Sequence, residues 1–244
     1  MNYKAVLQYD GTRYRGWQTQ GNTDNTIQGK LETLLTKMAG EPVEVNGSGR
    51  TDAGVHATGQ VISFRCKTKE SPEEICRYMN EYLPEDIAVL SVEEAAPRFH
   101  ARLNAVRKTY VYRIWNAPVR NVFRRRFTTW IQKPLDLDAM EQAATLLCGT
   151  HDYRAFCSLK KFKKSTVRTI EKIEIGKMGQ EIRISYTGDG FLYHMVRILT
   201  GTLVEVGLGL RKPEEMTEIL KGQNRTKAGR LMPPEGLTLE SVEY

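Results

Sequence analysis

Gly47-Ser48-Gly49-Arg50-Thr51-Asp52-Ala53-Gly54-Val55-His56-Ala57 separates two β-prone runs, one around Val43 to Val45 and one from Gln60 to Cys66. Upstream, Tyr3 to Tyr9 reads as a strand, and Asn25 with Gln28 forms a capping box for a helix whose apolar stripe is Ile27, Leu31, Leu34, Leu35 and Met38. Gly40 and Pro42 stop that helix. Downstream, Ser71-Pro72 opens a second helix carrying Ile75, Tyr78, Met79 and Tyr82, and Ile87 to Val92 reads as a strand. The order around the quoted loop is therefore βαββαβ.

A similar order returns after about residue 105. Thr109 to Trp115 reads as a strand, and Leu137 to Cys148 as a helix with Asp138 and Glu141 as its capping box. Strands follow near Val167 to Ile175 and Glu181 to Tyr186. A long helix, Phe191 to Val206, keeps Leu192, Met195, Val196, Leu199, Leu203 and Val206 at helical spacing and ends at Gly207 and Gly209. A short helix after Pro213 and a strand near Leu237 to Val242 complete the chain. Two such successions predict an α+β protein of two ferredoxin-like halves, residues 1–104 and 105–244. No internal sequence repeat proves a duplication.

At 244 residues the chain can bury one large core or two modest ones, and its 40% hydrophobic content is that of a globular protein. The excess of 36 Lys and Arg over 29 Asp and Glu, a net +7, favours a polyanionic partner. Met1 to Leu7 is followed at once by Gln8 and Asp10, too short an apolar stretch for a signal peptide or a membrane span, so a cytoplasmic protein is expected. Cys66, Cys76, Cys148 and Cys157 form no Cys-x-x-Cys pair and are expected to be reduced thiols. Cys148, His151 and Cys157 lack a fourth ligand at comparable spacing, so no metal is expected there. The His-x-Glu and Pro-Cys-x-x-Cys pattern of zinc deaminases is missing too. With no Walker loop and no Gly-x-Gly-x-x-Gly after a strand, no nucleotide or other cofactor is expected.

Glycines at 47, 49 and 54 let the quoted loop turn sharply and approach a bulky ligand closely. On spacing alone, one acid in such a loop is a solvated turn residue. The whole string, however, resembles the active-site signature of the tRNA pseudouridine synthase A family. The resemblance extends through Tyr9-Asp10-Gly11-Thr12-Arg13-Tyr14-Arg15-Gly16-Trp17-Gln18, Thr26-Ile27-Gln28, Phe99-His100-Ala101-Arg102 and Lys108-Thr109-Tyr110-Val111-Tyr112. It continues in Gly149-Thr150-His151-Asp152, Phe191-Leu192-Tyr193-His194-Met195-Val196-Arg197 and Gly236-Leu237-Thr238-Leu239, in family order over nearly the full length. Departures are Tyr153 where the family usually has Phe, Met232 where a small residue precedes proline, and Thr238 where an aromatic is common.

The resemblance implies two halves whose antiparallel sheets join around a central basic cleft, and a homodimer that shares its RNA between subunits. It implies isomerisation of uridine to pseudouridine in the anticodon stem and loop of tRNA, at positions 38, 39 and 40, without a cofactor. Asp52, in the N-terminal half, would be the ionised carboxylate acting on the ribose; attack at C1′ and proton removal at C2′ are both open to it. In the C-terminal half, Arg197 would hold that carboxylate charged, since burial alone would protonate it. On pattern alone Arg197 is a surface arginine covering an apolar helix. Tyr110 would line the pocket, stacking on uracil and helping to take the C5 proton, although alternation on a strand makes it an ordinary buried aromatic. Tyr112 is read as core.

Arg50 would fill the space left by a flipped nucleotide, against the reading that it only anchors its own loop. Leu237 and Leu239 would wall the uracil pocket, where pattern alone makes them core-facing strand residues. His56 and His194 are read as structural and left out of the catalytic set. Two basic stretches interleaved with aromatics, Phe123-Arg124-Arg125-Arg126-Phe127 and Lys160-Lys161-Phe162-Lys163-Lys164, are candidates for tRNA phosphates. The alternatives are a non-catalytic tRNA-binding protein or chaperone on the same scaffold, and an RNA glycosidase or nuclease.

Overall fold

The computed structural model describes residues 1–21, 23–162 and 164–244. Among these the chain is mixed α+β, with ten strands, five α-helices and short 3-10 turns. It divides into two compact units, Met1–Val106 with Thr238–Tyr244, and Arg107–Leu237.

The first unit contains β1 (Asn2–Tyr9), α1 (Ile27–Ala39), β2 (Val45–Gly47), β3 (His56–Arg65), α2 (Pro72–Tyr82) and β4 (Ile87–Glu94). β1 lies between β4 and β3 and pairs antiparallel with both, turning Tyr3, Ala5, Leu7 and Tyr9 into the core. β2 pairs antiparallel with the far end of β3, while β10 (Leu237–Glu243) pairs in parallel with its start, Thr238 opposite His56 and Leu239 opposite Ala57. Gly59 permits that approach, because a Cβ there would lie 2.2 Å from the Glu240 carbonyl oxygen.

Helix α2 starts as its sequence dictates, with Pro72 in the first turn and reciprocal Ser71–Glu74 capping bonds. α1 differs from expectation at its start. Its N-cap is Thr26, whose side chain accepts from the Gly29 N–H, because Asn25 donates to the Arg13 carbonyl and Gln28 bridges Thr19, Glu32 and the Val45 carbonyl. Gly40, at φ 70°, ends it.

In the second unit β9 (Glu181–Gly188) lies between β5 (Arg107–Asn116) and β8 (Val167–Met178), antiparallel to both. Two short strands that the apolar pattern did not announce extend this sheet. β6 (Thr129–Ile131) pairs in parallel with β5, and β7 (Gly149–Asp152) pairs antiparallel with β8. α3 (Leu137–Leu146) is capped by Asp136 rather than Asp138, which falls inside the first turn. α4 (Met195–Gly207) is buried almost all round. It begins four residues later than its apolar spacing suggests, because His194 adopts a left-handed conformation at φ 66°. α5 (Glu215–Gly222) follows. No helix among the described residues is long and apolar enough to cross a membrane.

Candidate active site

The loop before β3 is held at the end of β1, where Tyr9 pairs with Ala57. Inside it the Val55 N–H donates to the Asp52 carbonyl at 3.1 Å, closing a turn in which Gly54 has φ 78°. A side chain at 54 would strain that turn. Gly47 serves a different purpose from close ligand approach: a Cβ there would come within 2.5 Å of the Trp17 ring, so this glycine makes room for the chain's own tryptophan.

The loop is pinned from below by buried polar groups. The Tyr9 and Thr51 hydroxyls lie 2.8 Å apart, and the Gln60 side-chain amide donates to the Gly49 carbonyl at 2.9 Å while its oxygen accepts from the Ser48 hydroxyl at 2.6 Å. The backbone adds Trp17 N–H to Thr51 O at 3.0 Å and Ser48 N–H to Val61 O at 2.8 Å. Burial pushes the Tyr9 phenol up to about 12, against the lowering effect of its hydrogen bonds to Thr51 and Gln60, so near neutral pH it is an uncharged strut. Asp52 stands half-buried on this base and Arg50 is exposed two residues before it. The partnership of Tyr9, Thr51 and Gln60 was not singled out from sequence, because the three lie in separate segments, two strands and a loop, with nothing in the sequence to say what they meet.

His56 is buried at the first residue of β3. Its Nδ1 accepts from the Gly11 N–H at 3.1 Å and lies 3.2 Å from the Asp10 carboxylate, which ties the segment after β1 to the loop. Gly11 is required there, since a Cβ would lie 2.0 Å from the Val55 carbonyl oxygen. His194 likewise holds structure, its Nδ1 2.9 Å from the Ser158 hydroxyl.

In the second unit Tyr110 is buried on β5 opposite Tyr186, and its ring meets Phe191 edge-on at 5.2 Å. Tyr112 is fully buried, with its hydroxyl between Thr129 Oγ1 at 2.6 Å and the Pro233 carbonyl at 2.7 Å, as its reading as core requires. Arg197 is no surface residue: it is only 8% exposed, in the first turn of α4, and its Nε donates to the Met232 carbonyl at 2.7 Å. The Met232 N–H returns a bond to the Arg197 carbonyl at 3.3 Å.

That exchange exists because residues 228–232 run against α4. Gly229 N–H donates to Thr202 Oγ1 at 2.9 Å and Arg230 N–H to Glu205 at 3.1 Å. Gly201 allows the approach, its absent Cβ lying 1.9 Å from the Arg230 carbonyl oxygen. A glycine inside an apolar helix was the legible clue to this contact. Met232, one of the departures from the family pattern, contributes its backbone to Arg197 and buries its side chain.

Asp52, Arg50 and Leu239 thus belong to the first unit, and Tyr110, Arg197 and Leu237 to the second, with both leucines buried. His151 Nε2 lies 2.9 Å from the Cys148 carbonyl, so backbone rather than thiol engages that ring. Among the described residues no group of three or more His, Cys, Asp or Glu could hold a metal ion. In the second basic stretch, Lys163 lies outside the described residues.

The first unit thus carries a half-buried carboxylate on a braced glycine loop, and the second a buried tyrosine and a buried arginine. The family model described as tRNA pseudouridine synthase matches residues 5–104 and 143–244, leaving Tyr110 between its two stretches. The chain is 47% identical over 243 residues to tRNA pseudouridine synthase A of Bacillus sp. (strain KSM-64), covering 100% of this chain and 99% of that protein. It is 44% identical over 243 residues to tRNA pseudouridine synthase A 2 of Bacillus anthracis, covering 100% of this chain and 99% of that protein. It is 46% identical over 241 residues to tRNA pseudouridine synthase A of Brevibacillus brevis, covering 99% of this chain and 98% of that protein. The chain belongs to the tRNA pseudouridine synthase family and is an enzyme, an isomerase. A non-catalytic RNA-binding role on this scaffold finds no support in these likenesses.

Proposed function

We propose that the protein isomerises uridine to pseudouridine in the anticodon stem and loop of tRNAs, at positions 38, 39 and 40. The reaction breaks the bond from ribose C1′ to uracil N1, turns the base, joins C5 to C1′ and releases the C5 proton. Nothing is oxidised or reduced, so no hydride carrier is needed. Asp52 is the group that acts on the ribose, by adding at C1′ or by taking the C2′ proton. Arg197 is the cationic partner of that carboxylate. Tyr110 stacks on the base and assists loss of the C5 proton. Arg50 fills the gap left by the extruded nucleotide, and Leu237 and Leu239 wall the uracil.

The reading carries with it two ferredoxin-like halves joined around a basic cleft, residues 1–104 bringing the carboxylate and residues 105–244 the tyrosine and arginine. It also carries a cytoplasmic homodimer that shares the tRNA. The observation that supports it most is the braced Asp52 loop in a chain alignable end to end with relatives named for this activity. The test is to incubate the protein with unmodified tRNA transcript in buffer containing a chelator, map pseudouridine and look for released uracil. Pseudouridine at 38, 39 and 40, absent with Asp52→Asn, is the expected result. Free uracil or broken strands would instead reveal a glycosidase or nuclease.

A further inference from the structure

The connection from β5 to β6 carries Arg120, Arg124, Arg125 and Arg126 and no acidic residue between Ala117 and Thr128. All four arginines are exposed. At its tip Phe123 is 92% exposed, with Val119 and Val122 exposed beside it. The backbone that carries this ring is held by hydrogen bonds of its own. Asn121 Oδ1 accepts from the N–H groups of Phe123 and Arg124, and Phe127 N–H donates to the Arg124 carbonyl, making two successive turns.

The base of the connection is equally fixed. Trp115 Nε1 donates to the Val119 carbonyl at 3.0 Å, Trp130 Nε1 to the Ala117 carbonyl at 2.8 Å, and the Arg120 guanidinium lies 4.4 Å from the Trp130 ring centre. Arg124 is anchored on the buried Glu181 carboxylate. The result is a rigid support presenting one aromatic face among guanidinium groups.

We propose that this turn is an RNA-stacking tip: Phe123 stacks on an unpaired base of the tRNA while Arg125 and Arg126 contact the flanking phosphates. The inference rests on the proposed function, whose substrate it would help to hold. An aromatic face accepts any base, and neighbouring cations match a phosphate chain, which is how single-stranded RNA is gripped without sequence preference. A second copy of this chain suits the surface less well, because a two-fold contact centred here would bring the Arg125 and Arg126 cluster against the same cationic cluster of its copy.

The test titrates unmodified tRNA transcript with the full-length protein over a series of salt concentrations. Phe123→Ala should weaken binding about tenfold with an unchanged salt slope, Phe123→Trp should restore parental affinity, and Phe123→Leu should stay weak. The double variant Arg125→Ala, Arg126→Ala should reduce the slope of log affinity against log salt by about two. Parental affinity in Phe123→Leu or Phe123→Ala overturns the stacking assignment. So does light scattering in which Phe123→Ala breaks up an assembled parent, which would give the face to a second copy. Pseudouridine formation by the parent is measured separately, so loss of this inference and loss of the proposed function are told apart.

Discussion

The loop holding Asp52 and the turn presenting Phe123 are both short, polar connections at the end of a strand, yet they are built in opposite senses. The first is fixed from beneath by Tyr9, Thr51, Gln60 and Ser48, all buried, and displays one half-buried carboxylate. The second is fixed at its base by two indoles and at one side by Glu181, and leaves a whole aromatic ring in water. On the proposed roles the difference teaches how rigidity is used: a carboxylate that is to react needs its position defined to a fraction of an ångström, whereas a ring that is to grip needs only a stable platform and an open face.

If that contrast is right, substitutions in and under the first loop appear in turnover and those on the second turn in tRNA affinity. Asp52→Asn should reduce single-turnover pseudouridine formation by at least about a thousandfold while tRNA still binds; substantial residual turnover would break the comparison at its centre. Arg197→Met should lower turnover by about a hundredfold with little change in tRNA affinity, and equal turnover would refute its pairing with the carboxylate. Tyr9→Phe keeps the ring but removes the strut to Thr51. About a tenfold fall in kcat at constant KM is expected, with about 1 kcal/mol of stability lost in denaturant titration; a changed KM with constant kcat would mean that Tyr9 does not position Asp52.

The smallest effect tests a residue that belongs to neither region. The Tyr153 hydroxyl lies 2.7 Å from the Leu147 carbonyl and 3.0 Å from the Gly149 carbonyl, sharing its one proton between the end of α3 and β7. Tyr153→Phe should cost about 1 kcal/mol of stability and leave turnover unchanged. A fall in turnover would show that this departure from the family's usual phenylalanine reaches the reaction.

Much of the secondary structure was legible because its signals are local. Ser71, Pro72 and Glu74 start α2 with bonds made within one helical turn, and Gly40 ends α1 by its own backbone freedom. The failures are where side chains found distant partners. Asn25 and Gln28 had the spacing of a capping box and were drawn off to Arg13, Thr19, Glu32 and Val45. β6 and β7 are three and four residues long, and pairing with β5 and β8 rather than apolar alternation makes them strands.

The sequence by itself determined the family, through the string around Asp52 and the blocks spread along the chain, and most of the helices, through caps and 3.6-residue spacing. Only the tertiary structure decided that Arg197 is buried and oriented by the Met232 carbonyl, that Gly47 yields to Trp17, and that Tyr9 and Gln60 hold up the loop. Caps and periodicity act within a few residues and leave a local trace. A hydrogen bond between residues 35 or 42 positions apart leaves none until the chain has folded.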